Sequence, residues 1–209
     1  MCGDCVTAEQ GYSALYEQAL RLSAGVHRPQ NRKGCTIPYI THPVHVSLIL
    51  LRHGFSMDVA VAGLLHDVVE DQGYDIALIK SEFGDRVTEI VIALSERKCD
   101  SEGRRRPWEV RKQEGLHQMR TASYEAVAVK VADTLHNVRS TLLDIENQGA
   151  TVFERFSRGP RQMVTHYGHI LEVAQERLGD HSIVIELAEA IHDLAQVARV
   201  DLGKANAPE

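Results

Sequence analysis

The chain has 209 residues, 44% hydrophobic and 25% charged, with a net charge of −6. That size and balance suit one soluble globular domain with a full core. The acidic balance excludes a nucleic-acid polymer as main partner, because such binding needs a basic surface, but it leaves room for a small phosphorylated ligand held by local cations.

In chain order, the opening MCGDCVTAEQ lacks the charged start and apolar stretch of a secretory signal. No apolar run of about 18 residues follows anywhere, so no membrane span is expected, and the cytoplasm is the default compartment. Cys2 and Cys5 form a C-x-x-C with no second pair to complete a metal or redox site. Apolar residues then recur three and four apart almost throughout, and strand-like alternation is scarce. A first helix is expected from about Thr7 to His27, followed by the polar loop RPQNRKGCTIPYI. Thr41 and His42 precede Pro43, which suits the first turn of a helix reading on to Gly54. SMDVAVAGLLHDVVED is a third helix with Ser56 as its cap. DIALIKSEF is a short fourth, ended by Gly84, and DRVTEIVIALSERK a fifth.

CDSEGRRRP is a loop, and Arg104–Arg106 read as its solvated charges. Helices follow from Trp108 to about Arg120 and over SYEAVAVKVADTLHNVRSTLLDIENQG. After the turn in TVFERFSRGP come two more, about Arg161–Leu178 and His181–Leu202. The tail, residues 203–209, is expected to be disordered. Nothing marks a domain boundary. The expectation is a single all-α domain of eight to ten helices, with the helices of about 150–202 packing on the rest.

The third helix is unusual in its charge. His66, Asp67, Glu70 and Asp71 fall within an arc of about 140° at 100° per residue. Met57, Val61, Leu64, Leu65, Val68 and Val69 occupy the opposite arc, and Gly63 and Ala60 lie on the polar side, where small residues would let something approach closely. A solvated acidic face has the same pattern. Two features count against it. There is no Lys or Arg between Arg52 and Lys80, although exposed helices usually supply partners one turn away. Like charges at about 4 Å repel by roughly 4 kcal/mol at a partly screened dielectric, so a half-buried cluster needs a cation. A divalent metal would serve. A second polar stripe, Lys130, Asp133, Asn137 and Ser140, lies opposite Val131, Leu135, Val138 and Leu142.

Four segments together resemble a known family: RKGCTIPYITHP (32–43), HDVVED (66–71), KVADTLHNVRS (130–140) and the FG of SEFGDRV. The chain resembles the HD-domain metal-dependent phosphohydrolases, in particular the RelA/SpoT-type alarmone hydrolase domain, over about residues 15–145. The resemblance implies an HD-type helical bundle. It implies that His42, His66, Asp67 and Asp133 hold a metal, usually Mn²⁺. A mixed nitrogen and oxygen set also admits Fe²⁺ or Zn²⁺. It implies that Glu70 and Asp71 orient and deprotonate the attacking water, that Arg32 and Lys33 belong to the nucleotide pocket, that Asn137 contacts the ribose, and that Ser140 stands where Thr is common. Lys130 is a further candidate cation for the phosphates. The implied reaction removes pyrophosphate from the 3′ position of (p)ppGpp, within the stringent response. Another HD-type reaction, on an adenosine alarmone or a 5′-nucleotide, and a non-catalytic nucleotide sensor are the alternatives. Thr134 departs from the family's usual Arg or Lys. His45, one turn from His42, is either a partner that orients it or an ordinary histidine. His117, His136, His166, His169, His181 and His192 receive no role. The expected partner is a small nucleotide; a homo-oligomer is compatible with the sequence.

Overall fold

A computed structural model describes residues 12–156 and 158–200. These residues form nine α-helices and one 3-10 helix: α1 (Ala14–Val26), α2 (Thr41–Arg52), α3 (Met57–Leu65), α4 (Val68–Gln72), α5 (Ile76–Leu94), α6 (Trp108–Thr121), α7 (Tyr124–Gln148), the 3-10 helix (Gly149–Arg155), α8 (Pro160–Leu178) and α9 (Ser182–Val197). Among the described residues there is no strand, only two isolated antiparallel bridges, Asn31 to Pro38 and Cys99 to Arg105. Each bridge closes a loop. The Cys2/Cys5 pair and the tail 203–209 lie outside the described residues.

The helix boundaries follow local chemistry. Ser13, Asp75 and Ser123 accept hydrogen bonds from the backbone N–H groups of Tyr16, Ala77 and Ala126, which satisfies donors that a helix start leaves free. Pro160 opens α8, where its missing N–H costs nothing. Ser56 stands in extended backbone before α3, but its side chain makes no capping bond.

α3 is the hub of the fold. Every residue from Val59 to Leu65 is buried, because α1, α2, α5 and α7 all pack on it. α7 is the long strut; it meets α2, α3, α5, α6, α8 and α9. α9 lies on α7 and α8, burying Ile183, Leu187, Ile191 and Leu194.

Four details depart from the sequence reading. The first helix, expected from about Thr7, begins at Ala14, behind its Ser13 cap. The helix expected over 56–71 is two helices, α3 and α4, broken at Asp67 (φ −98°, ψ −7°). His66 donates from Nδ1 to the Gly63 carbonyl at 2.7 Å, and this side-chain bond occupies the last turn of α3. The two helices expected on either side of Gly84 run end to end within α5; Gly84 itself is non-helical, at φ 81°, a conformation only glycine adopts without strain. Gly63 does not leave room for a ligand. A Cβ there would sit 2.7 Å from Leu50 Cδ1 and 3.5 Å from Ser47 Cα, so what approaches closely is α2.

Candidate functional site

The break between α3 and α4 sets the site. It turns His66 and Asp67 toward two other elements: the first turn of α2, which carries His42, and the middle of α7, which carries Asp133. Nitrogen and oxygen atoms of His42, His66 and Asp133 all lie within 4.8 Å of one another. Asp67 borders this group. Its Oδ2 is 3.0 Å from His66 Nε2 and 3.6 Å from His42 Nε2, and Asp133 Oδ1 is 3.2 Å from His42 Nε2.

The protonation pattern suits a cation. His66 uses Nδ1–H on the Gly63 carbonyl, so in the neutral ring Nε2 carries a lone pair. That Nε2 is buried and lacks a hydrogen-bond partner. It faces Asp67 Oδ2 at 3.0 Å, so positive charge at this atom is favoured. Burial by itself would discharge His66, yet the negative charges of Asp67 and Asp133 push its pKa up to about 9. Burial likewise works against the charged form of Asp133, but Lys130 and His42 hold it well below the usual carboxylate range. The pocket demands positive charge between these carboxylates. A divalent metal supplies it without protonating a ligand, and the residues present fit one. His42 completes the set: its Nδ1 lies 2.7 Å from His136 Nδ1. With the proton of that bond on His42, its Nε2 lone pair faces Asp133. Burial and the neighbouring His42 push His136 down to about 3, which suits it to accept. His136, given no role from sequence, is therefore the group that orients His42. His45 stacks on His136 at 5.0 Å.

Glu70 and Asp71 lie on the next turn, in α4. Both pair with Lys98, which contacts Asp71 and lies 3.2 Å from Glu70. Glu70 also accepts from the Glu96 N–H at 3.1 Å, and Asp71 from Gln30 Nε2 at 2.7 Å. Burial and then the charge of Asp67 push the Glu70 carboxyl upward. Lys98 arrives from the loop closed by the Cys99–Arg105 bridge; the helix wheel could not reveal it. Tyr39 donates to Asp67 Oδ2 at 2.6 Å.

On α7, Lys130 pairs with Asp133 Oδ2 at 2.8 Å, and Asn137 donates to Asp133 Oδ1 at 2.6 Å. Arg32 Nη2 donates to Asn137 Oδ1 at 2.8 Å. Lys33, Lys130 and Asn137 line a cavity of about 390 Å³ that opens onto the His/Asp cluster. Arg32 reaches it through Asn137. Ser140 does not line it. Arg139 pairs with Asp193 on α9, away from the cavity. Arg104 pairs with Asp100 and Glu102, and Arg106 with Glu114, outside the site.

The opposite wall of the cavity comes from segments that sequence reading left without function. α6 gives Trp108, Lys112, Leu116 and Met119, and α8 gives Met163, His166, Tyr167 and Ile170. Their signal in sequence is weak, because an aromatic or methionine at helical spacing reads as core.

A family model described as "HD domain" matches residues 19–158. The chain is 34% identical over 137 residues to a probable GTP pyrophosphokinase of Mycobacterium leprae, covering 61% of this chain but 16% of that longer protein. It is 36% identical over 130 residues to the guanosine-3′,5′-bis(diphosphate) 3′-pyrophosphohydrolase MESH1 of Xenopus tropicalis, 61% of this chain and 69% of that one. Among solved structures, the lmo0812 protein of Listeria monocytogenes superposes with a TM-score of 0.66 at 33% identity, over 74% of this chain and 99% of that one. A metazoan ortholog of SpoT superposes with a TM-score of 0.70 at 23% identity, over 88% and 97%; at that identity it speaks for the fold alone.

Proposed function

Because the chain belongs to the HD domain family, we propose that it is a metal-dependent phosphohydrolase that removes the 3′-pyrophosphate of guanosine-3′,5′-bis(diphosphate), giving GDP and pyrophosphate. The observation that carries the proposal is the His42, His66, Asp67, Asp133 cluster on a nucleotide-sized cavity, with the carboxylates Glu70 and Asp71 one turn on and the lysines Lys98 and Lys130 paired with the site's carboxylates. Support for the substrate comes from the similarity to MESH1, whose name states that reaction.

In this reading His42, His66, Asp67 and Asp133 hold the metal, with Mn²⁺ the first choice and Fe²⁺ or Zn²⁺ alternatives. When bound, such an ion acidifies a water and neutralises phosphoryl charge. Tyr39 and His136 fix the orientations of Asp67 and His42. Water attacks the phosphorus bonded to O3′, the O3′–P bond breaks, and the 3′-oxygen leaves as a hydroxyl on taking up a proton that balances the one the water gives up. Glu70 and Asp71 take the proton from the attacking water. The upward shift of the Glu70 carboxyl suits it to act as a base nearer neutral pH, and Lys98 keeps the two like charges together. Lys130 attracts the phosphates at the reacting end, Lys33 belongs to the nucleotide pocket, and Asn137, braced by Arg32, faces the ribose. No helix among the described residues is long and apolar enough to cross a membrane; the proposed setting is the cytoplasm, in turnover of the alarmone during the stringent response.

The test is incubation of the full chain with Mn²⁺ and ppGpp, with products separated by ion exchange. Equal amounts of GDP and pyrophosphate are expected. No turnover by metal-loaded protein would refute the proposal. Orthophosphate release from other nucleotides would move it to a different HD-type reaction.

A further inference from the structure

The chemistry proposed above centres on the His/Asp cluster and the groups paired with it. The same cavity is also lined by Trp108 at the start of α6, Phe156 and Arg158 between the 3-10 helix and α8, and Lys33 from the loop before α2. Both cations lie on aromatic faces. The Arg158 guanidinium is 5.6 Å from the Trp108 ring centre, and Lys33 Nζ is 5.5 Å from that of Phe156. His166 of α8 meets Trp108 edge-on at 5.6 Å, which steadies the platform. The Arg155 side chain packs against Gly34, leaving no space for a Cβ there, so the loop carrying Lys33 is docked on the segment carrying Phe156.

The two groups of lining residues differ in charge balance. Beside the His/Asp cluster, Lys98 has Glu70 and Asp71, and Lys130 has Asp133. In the second group, Lys33 has no carboxylate partner among the described residues. Arg158 has one, the half-exposed Glu109 at 2.7 Å, and its Nε is buried without an acceptor. Surplus positive charge therefore sits in the second group. A cation held on an aromatic face has already lost much of its freedom, so pairing it with an anion costs less ordering. A guanidinium also matches two phosphate oxygens at once.

We propose that Trp108, Phe156, Arg158 and Lys33 form a second anion subsite, built from residues outside the His/Asp cluster, that takes the 5′-phosphates of the nucleotide, with Arg158 as a specificity-determining residue. The identity of the nucleotide rests on the function proposed above; the subsite itself rests on the charge and ring geometry. Glu109 serves as the resting partner of Arg158, displaced when phosphate arrives.

Trp108 is the chain's single tryptophan, so its emission reports this subsite without any catalysis. The full chain, with and without Mn²⁺, is titrated with GDP and with guanosine. GDP is expected to change the emission and to bind at least about 10-fold more tightly than guanosine, since hydrogen bonds to charged groups contribute about 1.5–3 kcal/mol. Arg158→Gln should erase most of that margin, and Arg158→Lys should restore part of it. Lys33→Met gives a second, independent loss should Arg158→Gln not fold. Equal binding of GDP and guanosine by the wild type, or an unchanged margin in Arg158→Gln or in Lys33→Met, overturns the subsite. GDP binding with the expected margin but no hydrolysis of ppGpp leaves the subsite standing and refutes the proposed reaction instead.

Discussion

Gly63 links the packing of the core to the site, and its replacement by alanine tests that link. In an ordinary helix interior Gly→Ala gains about 1 kcal/mol of helix propensity. Here the new Cβ would lie 2.7 Å from Leu50 Cδ1 and 3.4 Å from Val46 Cγ1, against the 3.5–4.0 Å that carbon atoms prefer. Leu50, Val46 and Ser47 are fully buried, so Leu50 has no free space to turn into. Overpacking of this kind costs about 1–3 kcal/mol. The balance is a net destabilisation of about 1 kcal/mol, and about 3 kcal/mol for Gly63→Val, which adds two more methyl groups. Urea unfolding of metal-stripped protein measures it. Trimming the neighbour supplies the control. Leu50→Ala alone costs about 2–5 kcal/mol, but combined with Gly63→Ala it should cost about 1–2 kcal/mol less than the sum. The site responds as well: α2 carries His42, and the Gly63 carbonyl holds His66 Nδ1. Separating the helices by a few tenths of an ångström should weaken Mn²⁺ binding about 10-fold, the lower bound for disturbed ligand support. A stabilised Gly63→Ala protein with additive behaviour in the double variant would refute this account.

Asp67→Ala should abolish Mn²⁺ binding in equilibrium dialysis, whereas Asp71→Asn should keep the metal and lose about 10²–10⁴-fold in turnover; full metal content and activity in Asp67→Ala would show the ligand assignment to be wrong. Lys98→Met removes a charge that lowers the Glu70 pKa, so the acid limb of the kcat/KM profile should move to higher pH; an unmoved limb excludes Glu70 as the base. His166 tests stability against pH. Burial, with Lys112 and Lys130 nearby, pushes it down to about 3, while the unfolded-state imidazole titrates near 6.5. Between these values the unfolded chain binds the extra proton, so stability is present above the unfolded pKa and falls on acidification. From pH 7 to pH 5 the loss is about 2 kcal/mol at most, and about 1 kcal/mol once partial exposure is allowed for. His166→Phe should reduce the fall in the urea midpoint over that range accordingly; an identical fall in both proteins contradicts it.

Much of the candidate site was legible in the sequence because its pieces are local. His66, Asp67, Glu70 and Asp71 sit within six residues, and Asp133 and Asn137 are one helical turn apart, so periodicity puts each set on one face. The groups that complete the site are not local. Lys98 answers the charge of Glu70 and Asp71 through direct side-chain contacts, 27 residues along the chain from Asp71. His136 reaches His42 across 94 residues, and Tyr39 reaches Asp67 across 28. None of these residues carries a spacing that marks it.

The sequence by itself determined that the chain is helical, where most helices begin and end, and which carboxylates crowd together. These follow from apolar spacing, caps and charge, all set by near neighbours. Only the tertiary structure decided how the crowding is relieved. It broke the charged helix at Asp67, pressed Gly63 against α2, and brought Lys98 and Lys130 to the carboxylates. It also made α6 and α8 into a cavity wall and set Arg158 over the ring of Trp108. The physical reason is range: propensity and periodicity act within a few turns, whereas the balance of buried charge is struck between elements that meet only once the core has formed.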